Sequence, residues 1–589
     1  MRITPVVLLT LCAAVPAGCT PRTAPELSAP VPASPDIDDN DSRVFAVAFT
    51  DVTDRSARLV FSTAEAARAT VVVRAGNSEV KRIAETEFAE IHRVDIGGLS
   101  KGKTYEVDIA AQTQAGATMR SNGHTMTARL RPTQFDRFGG RTYFGVQHAF
   151  EATGPFAELG AGMVRYSPTW DGIQPKPGEF DRKKLDDAVS YVRSLKAMGV
   201  EPLILLCYCV DWAQEHTNHQ MIWRNKVFGP PDRVEDWKRY VRTVMQELKG
   251  LARYYEVWNE PDAGYLAMGV PAERLSVQDA AAIRPVYRNN DDYWLGDRYV
   301  PLVMATREVA DEIDKDIAVI GGSWNHDYHG RRGDLCFGRG MHRSIQQYSF
   351  HNYAGGFQSY PLWEYWTNGK YMVFADAAFK KFGISMPIAI TEWNVPSYDT
   401  PDKAKGFCSR RDGQIFLVKS AFYYLSLERI SMLILHQFGF NDEWSLVWKD
   451  DKGEMTRTPS FGTYKWLCKT FSGKRYNRLP IATDGGPDVR AYAIRLADDN
   501  SALVALWQDR LDEQTMKPVP LPERTVHVEL KGIPNGPCRL DTLDITGNTA
   551  GTSEAIAKKV LAWDATLPAA TGAAESEPLL YRIALPGSQ

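Results

Sequence analysis

Hydrophobic and polar residues alternate with a period of two in the first folded part of the chain. Leu59 and Phe61 fall on one face of this pattern, and Val107 and Ile109 repeat it further along. Short alternating segments separated by turn residues are typical of antiparallel strands with one buried face. We therefore expect a small β-sandwich over residues 43–130, acting as a spacer or docking module.

The pattern changes over residues 138–474, where short apolar strands alternate with amphipathic helices. After the second strand, for example, Asp181 is a helix cap and Gly199 a helix stop. Eight such units predict an α/β fold, a (β/α)8 TIM barrel. A doubly wound sheet would need a glycine-rich turn after its first strand, and residues 145–148 (Gly-Val-Gln-His) do not form one. The predicted strands are 143–146, 163–166, 202–206, 254–257, 318–320, 348–350, 388–390 and 432–435.

Period-two alternation returns over residues 478–587, as in Val526, Val528 and Leu530. This predicts a C-terminal β-sandwich, and we expect it to stabilise the barrel. A chain of 589 residues is long enough for the three folded units that these patterns indicate.

The first nineteen residues are typical of a lipoprotein signal peptide. A basic residue, a short apolar stretch and the small residues Ala17 and Gly18 precede Cys19. Cys19 stands where a lipobox cysteine is lipidated, although Pro16 replaces the usual Leu and leaves ordinary secretion as an alternative. Residues 20–42 are a Pro-rich linker. We expect an exported cell-envelope protein, an outer-membrane lipoprotein held by its lipid anchor.

The formal charge of −3, without a long run of one sign, gives no reason to expect a nucleic-acid partner. The sequence does not determine the oligomeric state. Cys336 and Cys408 follow strands five and seven, so either a disulfide over one barrel face or two separate thiols fits the spacing.

Polar residues collect after the predicted barrel strands, at the end where such barrels form active sites. Glu260 follows strand four and Glu392 follows strand seven. Cleavage of a glycosidic bond needs one carboxyl group to protonate the leaving oxygen and a second carboxylate to meet the sugar from the other face. These two glutamates lie across the barrel mouth, and a retaining enzyme would hold them about 5–5.5 Å apart.

Other strand-end residues are candidates for supporting roles. Glu392 stays ionised if Arg165 and Tyr353 donate to it, whereas we expect Glu260 to hold its proton in a more apolar setting. Asn259 is placed for a sugar 2-hydroxyl. The remaining substrate-binding candidates are His351, Trp393, Trp212, His148 and Trp324, with Gln147 and Trp444 as further candidates.

These residues resemble a known family. Residues 258–261 (Trp-Asn-Glu-Pro) and 391–393 (Thr-Glu-Trp), with Arg165, His351 and Tyr353, resemble clan A glycoside hydrolases, and are most similar to glycoside hydrolase family 39. The resemblance implies a retaining enzyme with Glu260 as acid/base and Glu392 as nucleophile, and no metal or cofactor. The N-terminal module, with Leu99 six residues before Tyr105, resembles a fibronectin type III domain and its tyrosine corner.

The sequence therefore predicts a retaining glycoside hydrolase that acts on an extracellular polysaccharide or oligosaccharide, with exopolysaccharide as one candidate. Two alternatives stay open: a surface glycan-binding lipoprotein without turnover, and a transglycosylase on the same scaffold. The long segment 262–298 would close the cleft in an exo-acting enzyme, but sequence does not choose between exo and endo cleavage.

Overall fold

The computed structural model describes most of the chain from residue 40 onward. The described residues are 40–131, 135, 140–147, 149, 154–214, 229–262, 285–287, 290–325, 330–353, 369–398, 408–439, 442–450, 452–510, 519–571 and 576–587. Within them, no helix is long and apolar enough to cross a membrane. The predicted signal peptide with Cys19, most of the linker, His148 and residues 263–284 of the long segment lie outside the described residues.

The N-terminal unit is a β-sandwich built around one long strand. The first half of this strand, β2, pairs with β1 and β4, its second half pairs with β3 and β5, and β6 pairs with β5. Tyr105 Oη accepts a hydrogen bond from Ser100 N at 2.9 Å, the contact of a tyrosine corner. The fibronectin type III assignment itself stays a prediction. The strands are β1 Val44–Thr50, β2 Ser56–Ala75, β3 Ser78–Ala84, β4 Ala89–Gly97, β5 Thr104–Thr113 and β6 Thr118–Thr127.

The central unit is a closed barrel of eight parallel strands, so the predicted fold is confirmed. The barrel strands are β7 Tyr143–Gln147, β8 Met163–Tyr166, β9 Glu201–Leu206, β10 Tyr254–Val257, β11 Ala318–Trp324, β12 Gln347–Tyr353, β13 Ile388–Asn394 and, after the short β14 Ser397–Tyr398 and β15 Cys408–Ser409, β16 Ile430–Leu435. A hairpin of β17 Val447–Lys449 and β18 Met455–Arg457 follows the last of them.

Helices surround the barrel. They are α1 Pro155–Leu159, α2 Trp170–Ile173, α3 Arg182–Ala197, α4 Val234–Glu247, α5 Val300–Ile313, α6 Arg331–Gly338, α7 Gly369–Phe382, α8 Arg410–Ser426 and α9 Pro459–Phe471, with a π-helix at Asp292–Tyr299 and short 3-10 turns at Asp211–Ala213, Pro285–Tyr287 and Met341–Arg343.

Side chains along each barrel strand point alternately into the barrel and out toward the helices. Met163, Leu203 and Met432 fill the lower interior of the barrel, whereas their outward neighbours pack against the helices. One step higher inside the barrel, Arg165 and Glu256 replace apolar residues and are fully enclosed. An apolar floor therefore lies beneath a polar layer at the carboxyl ends of the strands.

The C-terminal unit packs two antiparallel sheets on each other and on the barrel helix α8. Lys419 of α8 is fully buried and reaches Asp509 at 3.2 Å and Ser576 at 3.0 Å in this unit. Its strands are β19 Tyr476–Arg478, β20 Ile481–Thr483, β21 Val489–Leu496, β22 Ser501–Gln508, β23 Arg524–Lys531, β24 Gly536–Leu543, β25 Thr549–Ala557, β26 Val560–Leu567 and β27 Leu579–Ala584, with a 3-10 turn at Gly486–Asp488.

The six cysteines of the described ranges are buried thiols, so Cys336 and Cys408 are not bridged. Of the two arrangements that their spacing left open, the structure has separate thiols.

The cap of α3 provides a test of the barrel's local stability. Asp181 accepts a hydrogen bond from Lys184 N at 3.0 Å, and we expect Asp181→Ala to lower the free energy of unfolding by about 1 kcal/mol. Differential scanning calorimetry would show this as a lower thermal midpoint. Asp187→Ala on the same helix removes only an exposed pair with Lys183 and should cost less. An equal loss in both variants would contradict the capping role.

Candidate active site

The structure brings the two predicted glutamates together at the barrel mouth. Glu260 follows β10 and Glu392 lies on β13, and both are nearly buried. A carboxylate oxygen of Glu260 lies within 4.8 Å of one of Glu392, and His351 Nδ1 lies within the same distance of both. This separation is close to the spacing of about 5–5.5 Å between the carboxyl groups of retaining glycosidases.

A buried guanidinium organises the layer beneath the pair. Arg165 donates through Nε to Glu256 at 2.7 Å, through Nη1 to Glu392 at 2.5 Å and through Nη2 to Asn259 Oδ1 at 2.9 Å. Glu256 Oε1 also accepts hydrogen bonds from Ser349 and Thr391 at 2.8 and 2.7 Å. Arg165 is thereby fixed, and it presents its charge to the nucleophile candidate.

Glu392 is surrounded by groups that favour its ionised form. Arg165 contacts one carboxylate oxygen, and the hydroxyl of Tyr353 donates to the other. Burial opposes ionisation, but the charge of His351, that of Arg165 and that of His436 outweigh it and hold the pKa of Glu392 well below its usual range. The predicted contacts of Arg165 and Tyr353 with Glu392 are therefore present.

Glu260 sits in a different environment from Glu392, but not in the apolar one that we expected. Its Oε1 lies 2.7 Å from His351 Nδ1, and its backbone N donates to the carbonyl of Ser323 at 3.0 Å. Trp258, Glu260 and Ser323 all have positive φ angles, of 67°, 48° and 50°. Non-glycine residues rarely adopt such angles, and they persist where surrounding contacts enforce them. The expectation of an apolar setting is wrong because a polar histidine of β12 lies beside the carboxyl group.

His351 connects the two glutamates. Burial disfavours its charged form, but the negative charge of Glu392 and the hydrogen bond to Glu260 outweigh that effect and raise the pKa of His351. Its other nitrogen, Nε2, lies 3.3 Å from Ser323 Oγ. The ring is therefore held at both nitrogens, with its charged form stabilised between the carboxylates.

Two predicted sugar-binding tryptophans do not reach the site. Trp393 is fully buried and packs against Phe416 of α8. Glu392 points into the barrel, so its neighbour on the strand must point outward to the helices. Trp324 is also fully buried, and its Nε1 donates to Tyr348 Oη at 2.7 Å. The predictions for Trp393 and Trp324 are wrong for this reason.

The other aromatic candidates divide differently. Trp444 is partly exposed and packs edge-to-face against Tyr353, with ring centroids 5.1 Å apart, so it borders the site. Trp212 is partly buried, contacts Trp170 edge-to-face at 5.9 Å and donates to the carbonyl of Gln174. Gln147 lies 3.1 Å from His436 Nδ1, which is 3.7 Å from Glu392. Gln147 and Trp444 thus join the site, whereas Trp212 packs beside the loop after β8.

Three site residues were not among the candidates predicted from the sequence: Glu256, Ser323 and His436. Glu256 was detectable, since a charged residue interrupts the apolar run of residues 254–257 at an inward position. Ser323 and His436 carry no comparable signal, because their roles depend on how strand ends bend toward the centre of the barrel.

Glu260, His351 and Glu392 also form a cluster of three potential metal ligands within the described part of the chain. The guanidinium of Arg165 lies 2.5 Å from Glu392, and the charged form of His351 is favoured. The fixed charge of Arg165 therefore already compensates one of the two carboxylates. The cluster is suited to holding and moving a proton.

The known proteins to which this chain is similar, in sequence or in structure, are glycoside hydrolases. No family model matches the chain. It is 30% identical over 108 residues to the 6-phospho-β-glucosidase AscB of Escherichia coli, which covers 18% of this chain and 21% of that protein. The chain thus spans about a fifth of the length of that curated relative.

Among solved structures, the chain is similar to a family 39 glycoside hydrolase from Bacteroides cellulosilyticus, with a TM-score of 0.49 and 13% sequence identity. The match covers 92% of this chain and 100% of that one. An α-L-arabinofuranosidase from Thermotoga maritima has a TM-score of 0.42 and 12% identity, covering 75% and 95%. The barrel of this chain is established by its own strand order.

The raised pKa of His351 predicts a pH-dependent contribution to stability. A folded pKa above the unfolded value of about 6.5 means that the contribution is fully present below that pH and is lost as pH rises through the folded pKa. The difference in free energy of unfolding between wild type and His351→Gln should therefore be largest at acidic pH and shrink toward alkaline pH. Urea denaturation at a series of pH values measures it, and a difference that grows with pH would contradict the assignment.

Proposed function

We propose that this chain is a retaining glycoside hydrolase in which Glu392 is the nucleophile and Glu260 is the acid/base. The observation that carries the proposal is the pair of carboxylates within 4.8 Å of each other at the barrel mouth, with Arg165 and Tyr353 donating to one member only. Double displacement requires one ionised carboxylate and one proton-bearing carboxyl group on opposite sides of the scissile bond.

In the first step, a carboxylate oxygen of Glu392 attacks the anomeric carbon while Glu260 gives its proton to the departing glycosidic oxygen. The bond between the anomeric carbon and that oxygen breaks as the glycosyl-ester bond forms. In the second step, Glu260 takes a proton from water, and the resulting hydroxide equivalent attacks the same carbon and releases Glu392. Two inversions leave the configuration of the sugar unchanged.

The contacts of each glutamate support this division of roles. Glu392 is held by Arg165 and Tyr353, and its lowered pKa keeps it ionised for attack. Glu260 is bonded through one oxygen to His351, which leaves its second oxygen to carry the transferable proton. Arg165 also fixes the oxygen of Asn259, so the NH2 group of that amide is the donor that a sugar hydroxyl would meet.

The substrate that we propose is a polysaccharide or oligosaccharide outside the cytoplasm, with bacterial exopolysaccharide as the first candidate. The support is contextual: the signal peptide and lipobox predicted over residues 1–19 imply export and anchoring through Cys19.

The proposal predicts that neither glutamate can be replaced by its amide. With a panel of aryl β-glycosides, we expect kcat/KM to fall by about 10²–10⁴-fold in Glu260→Gln and by roughly 10⁴-fold or more in Glu392→Gln. Release of the aglycone measures both. Glu179→Gln is a matched control, because that exposed glutamate pairs only loosely with Lys176 at 3.5 Å. A wild type that binds glycans but cleaves none would favour the glycan-binding alternative.

Rescue by azide separates the two roles. With an activated substrate, Glu392→Ala plus azide should give the α-glycosyl azide, because azide replaces the nucleophile directly. Glu260→Ala plus azide should give the β-glycosyl azide, because azide then attacks the intact glycosyl-enzyme. The opposite pairing of products would reverse the assignment. Oligosaccharide products larger than the substrate would instead indicate transglycosylation.

A further inference from the structure

The N-terminal sandwich is docked on the barrel by directional contacts. Ala46 N donates to the carbonyl of Asp232 at 2.7 Å, and Asp51 N donates to the carbonyl of Arg339 at 3.0 Å. The carboxylate of Asp51 also pairs with Arg343 at 3.2 Å. Contacts of this kind fix the orientation of a module, which a simple spacer would not need.

The same sandwich contacts the π-helix Asp292–Tyr299. Ser62 of β2 donates to Tyr293 Oη at 3.2 Å in a buried contact, and Arg93 of β4 pairs with Asp297 at 2.6 Å. Only 2% of the Asp297 side chain is exposed, whereas Arg93 is partly exposed. A buried carboxylate needs such a partner, so Arg93 helps to hold the π-helix in place. Helices of this type are rare and frequently occur at functional sites.

The last residue of the π-helix ties two barrel strands together near the acid/base candidate. Tyr299 Oη donates to the carbonyl of Val257 at 3.1 Å and accepts a hydrogen bond from Gly322 N at 2.9 Å. Val257 ends β10, three residues before Glu260, and Gly322 lies on β11. The hydroxyl therefore joins the strand that leads to Glu260 to its neighbour in the barrel.

Beyond Gly322, the contacts continue to the reacting groups. Ser323 accepts a hydrogen bond from Glu260 N at 3.0 Å through its carbonyl, and its hydroxyl lies 3.3 Å from His351 Nε2. A Cβ on Gly322 would meet the carbonyl oxygen of Ser349 at 2.3 Å, so this segment has little room to shift. A continuous set of contacts thus runs from Arg93 and Ser62 to Glu260 and His351.

We propose that the N-terminal sandwich is a positioning element of the acid/base: through the π-helix and Tyr299, it holds the Trp258–Glu260 turn in the geometry that proton transfer requires. This inference rests on the proposed function. It assigns positioning roles to Tyr299 and Arg93, neither of which contacts the catalytic carboxylates. The turn needs this support because Trp258 and Glu260 have positive φ angles. A strained turn of this kind relaxes when the contacts that hold it are removed.

Leaving-group dependence provides the test, because it reports proton donation by Glu260 separately from the rest of catalysis. A dinitrophenyl glycoside expels an acidic phenol that needs no proton, whereas a phenyl glycoside depends on the general acid. In the full-length protein, we expect Tyr299→Phe and Arg93→Ala to lower kcat/KM for the phenyl substrate by about tenfold or more. The dinitrophenyl substrate should change by less than about threefold.

Arg82→Ala is the control for Arg93→Ala. Arg82 lies in the same sandwich and pairs with Glu79 at 2.6 Å, and this pair lies within the module. We expect Arg82→Ala to leave the hydrolysis of both substrates unaffected. Equal losses for both substrates in Tyr299→Phe, or a loss in Arg82→Ala as large as that in Arg93→Ala, would overturn the positioning role and indicate general destabilisation.

Hydrogen–deuterium exchange tests the positioning role without any measurement of enzyme activity, because it reports how firmly the backbone of the turn is held. Faster exchange over residues 254–262 and 318–325 in Arg93→Ala and Tyr299→Phe, but not in Arg82→Ala, is the expected result. Unchanged exchange there would overturn the inference even if the enzyme is active. A wild type that hydrolyses no glycoside would instead overturn the proposed function, while the exchange result would still decide whether the module supports this turn.

Discussion

The guanidinium of Arg165 is enclosed by the barrel and shared between two carboxylates, and the rest of the site depends on it. It bonds Glu256 below and Glu392 above, with its third arm on Asn259. Removing one partner of a buried ion pair typically costs about 3–5 kcal/mol, because the remaining charge is left without compensation. Glu256 therefore does more than fill the barrel: it gives Arg165 a fixed orientation, so that one positive charge holds strands β8, β10 and β13 in register at the level of the reaction.

Above this layer, the two glutamates differ because their donors differ. Glu392 accepts hydrogen bonds from Arg165 and Tyr353, so its negative charge is stabilised in a buried position by groups already aimed at it. Glu260 depends on His351, which itself lies 3.4 Å from Glu392. The His351 imidazole therefore interacts with both carboxyl groups. When one of the two glutamates gains or loses a proton, the electrostatic environment of the other glutamate changes. Such coupling suits a cycle in which one carboxyl group is first acid and then base.

The sequence predicted the barrel and the meeting of Glu260 and Glu392 at its mouth because both depend on local patterns. Eight apolar strands were recognisable from their spacing, and Glu260 and Glu392 follow directly from the strand ends. The aromatic assignments were less successful. Trp393 follows an inward-facing glutamate, so alternation sends it into the helix layer, and applying that rule to the sequence would have excluded it. Trp444 lies on a loop after β16, where alternation gives no guidance, and only the folded chain shows that it packs on Tyr353.

The two appended sandwiches support different members of the proposed catalytic pair. The N-terminal sandwich contacts the π-helix whose Tyr299 binds the ends of β10 and β11, on the side of Glu260. The C-terminal unit packs on α8, through Lys419 and through Tyr423 against Tyr492, and the same helix covers the outward face of Trp393 beside Glu392. A separation of less than 5 Å between the carboxylates is thus set by strands whose outer supports come from separate modules. Errors of about 1 Å in such a pair would be costly to the proposed catalysis, which gives a physical reason for building the chain as three docked units.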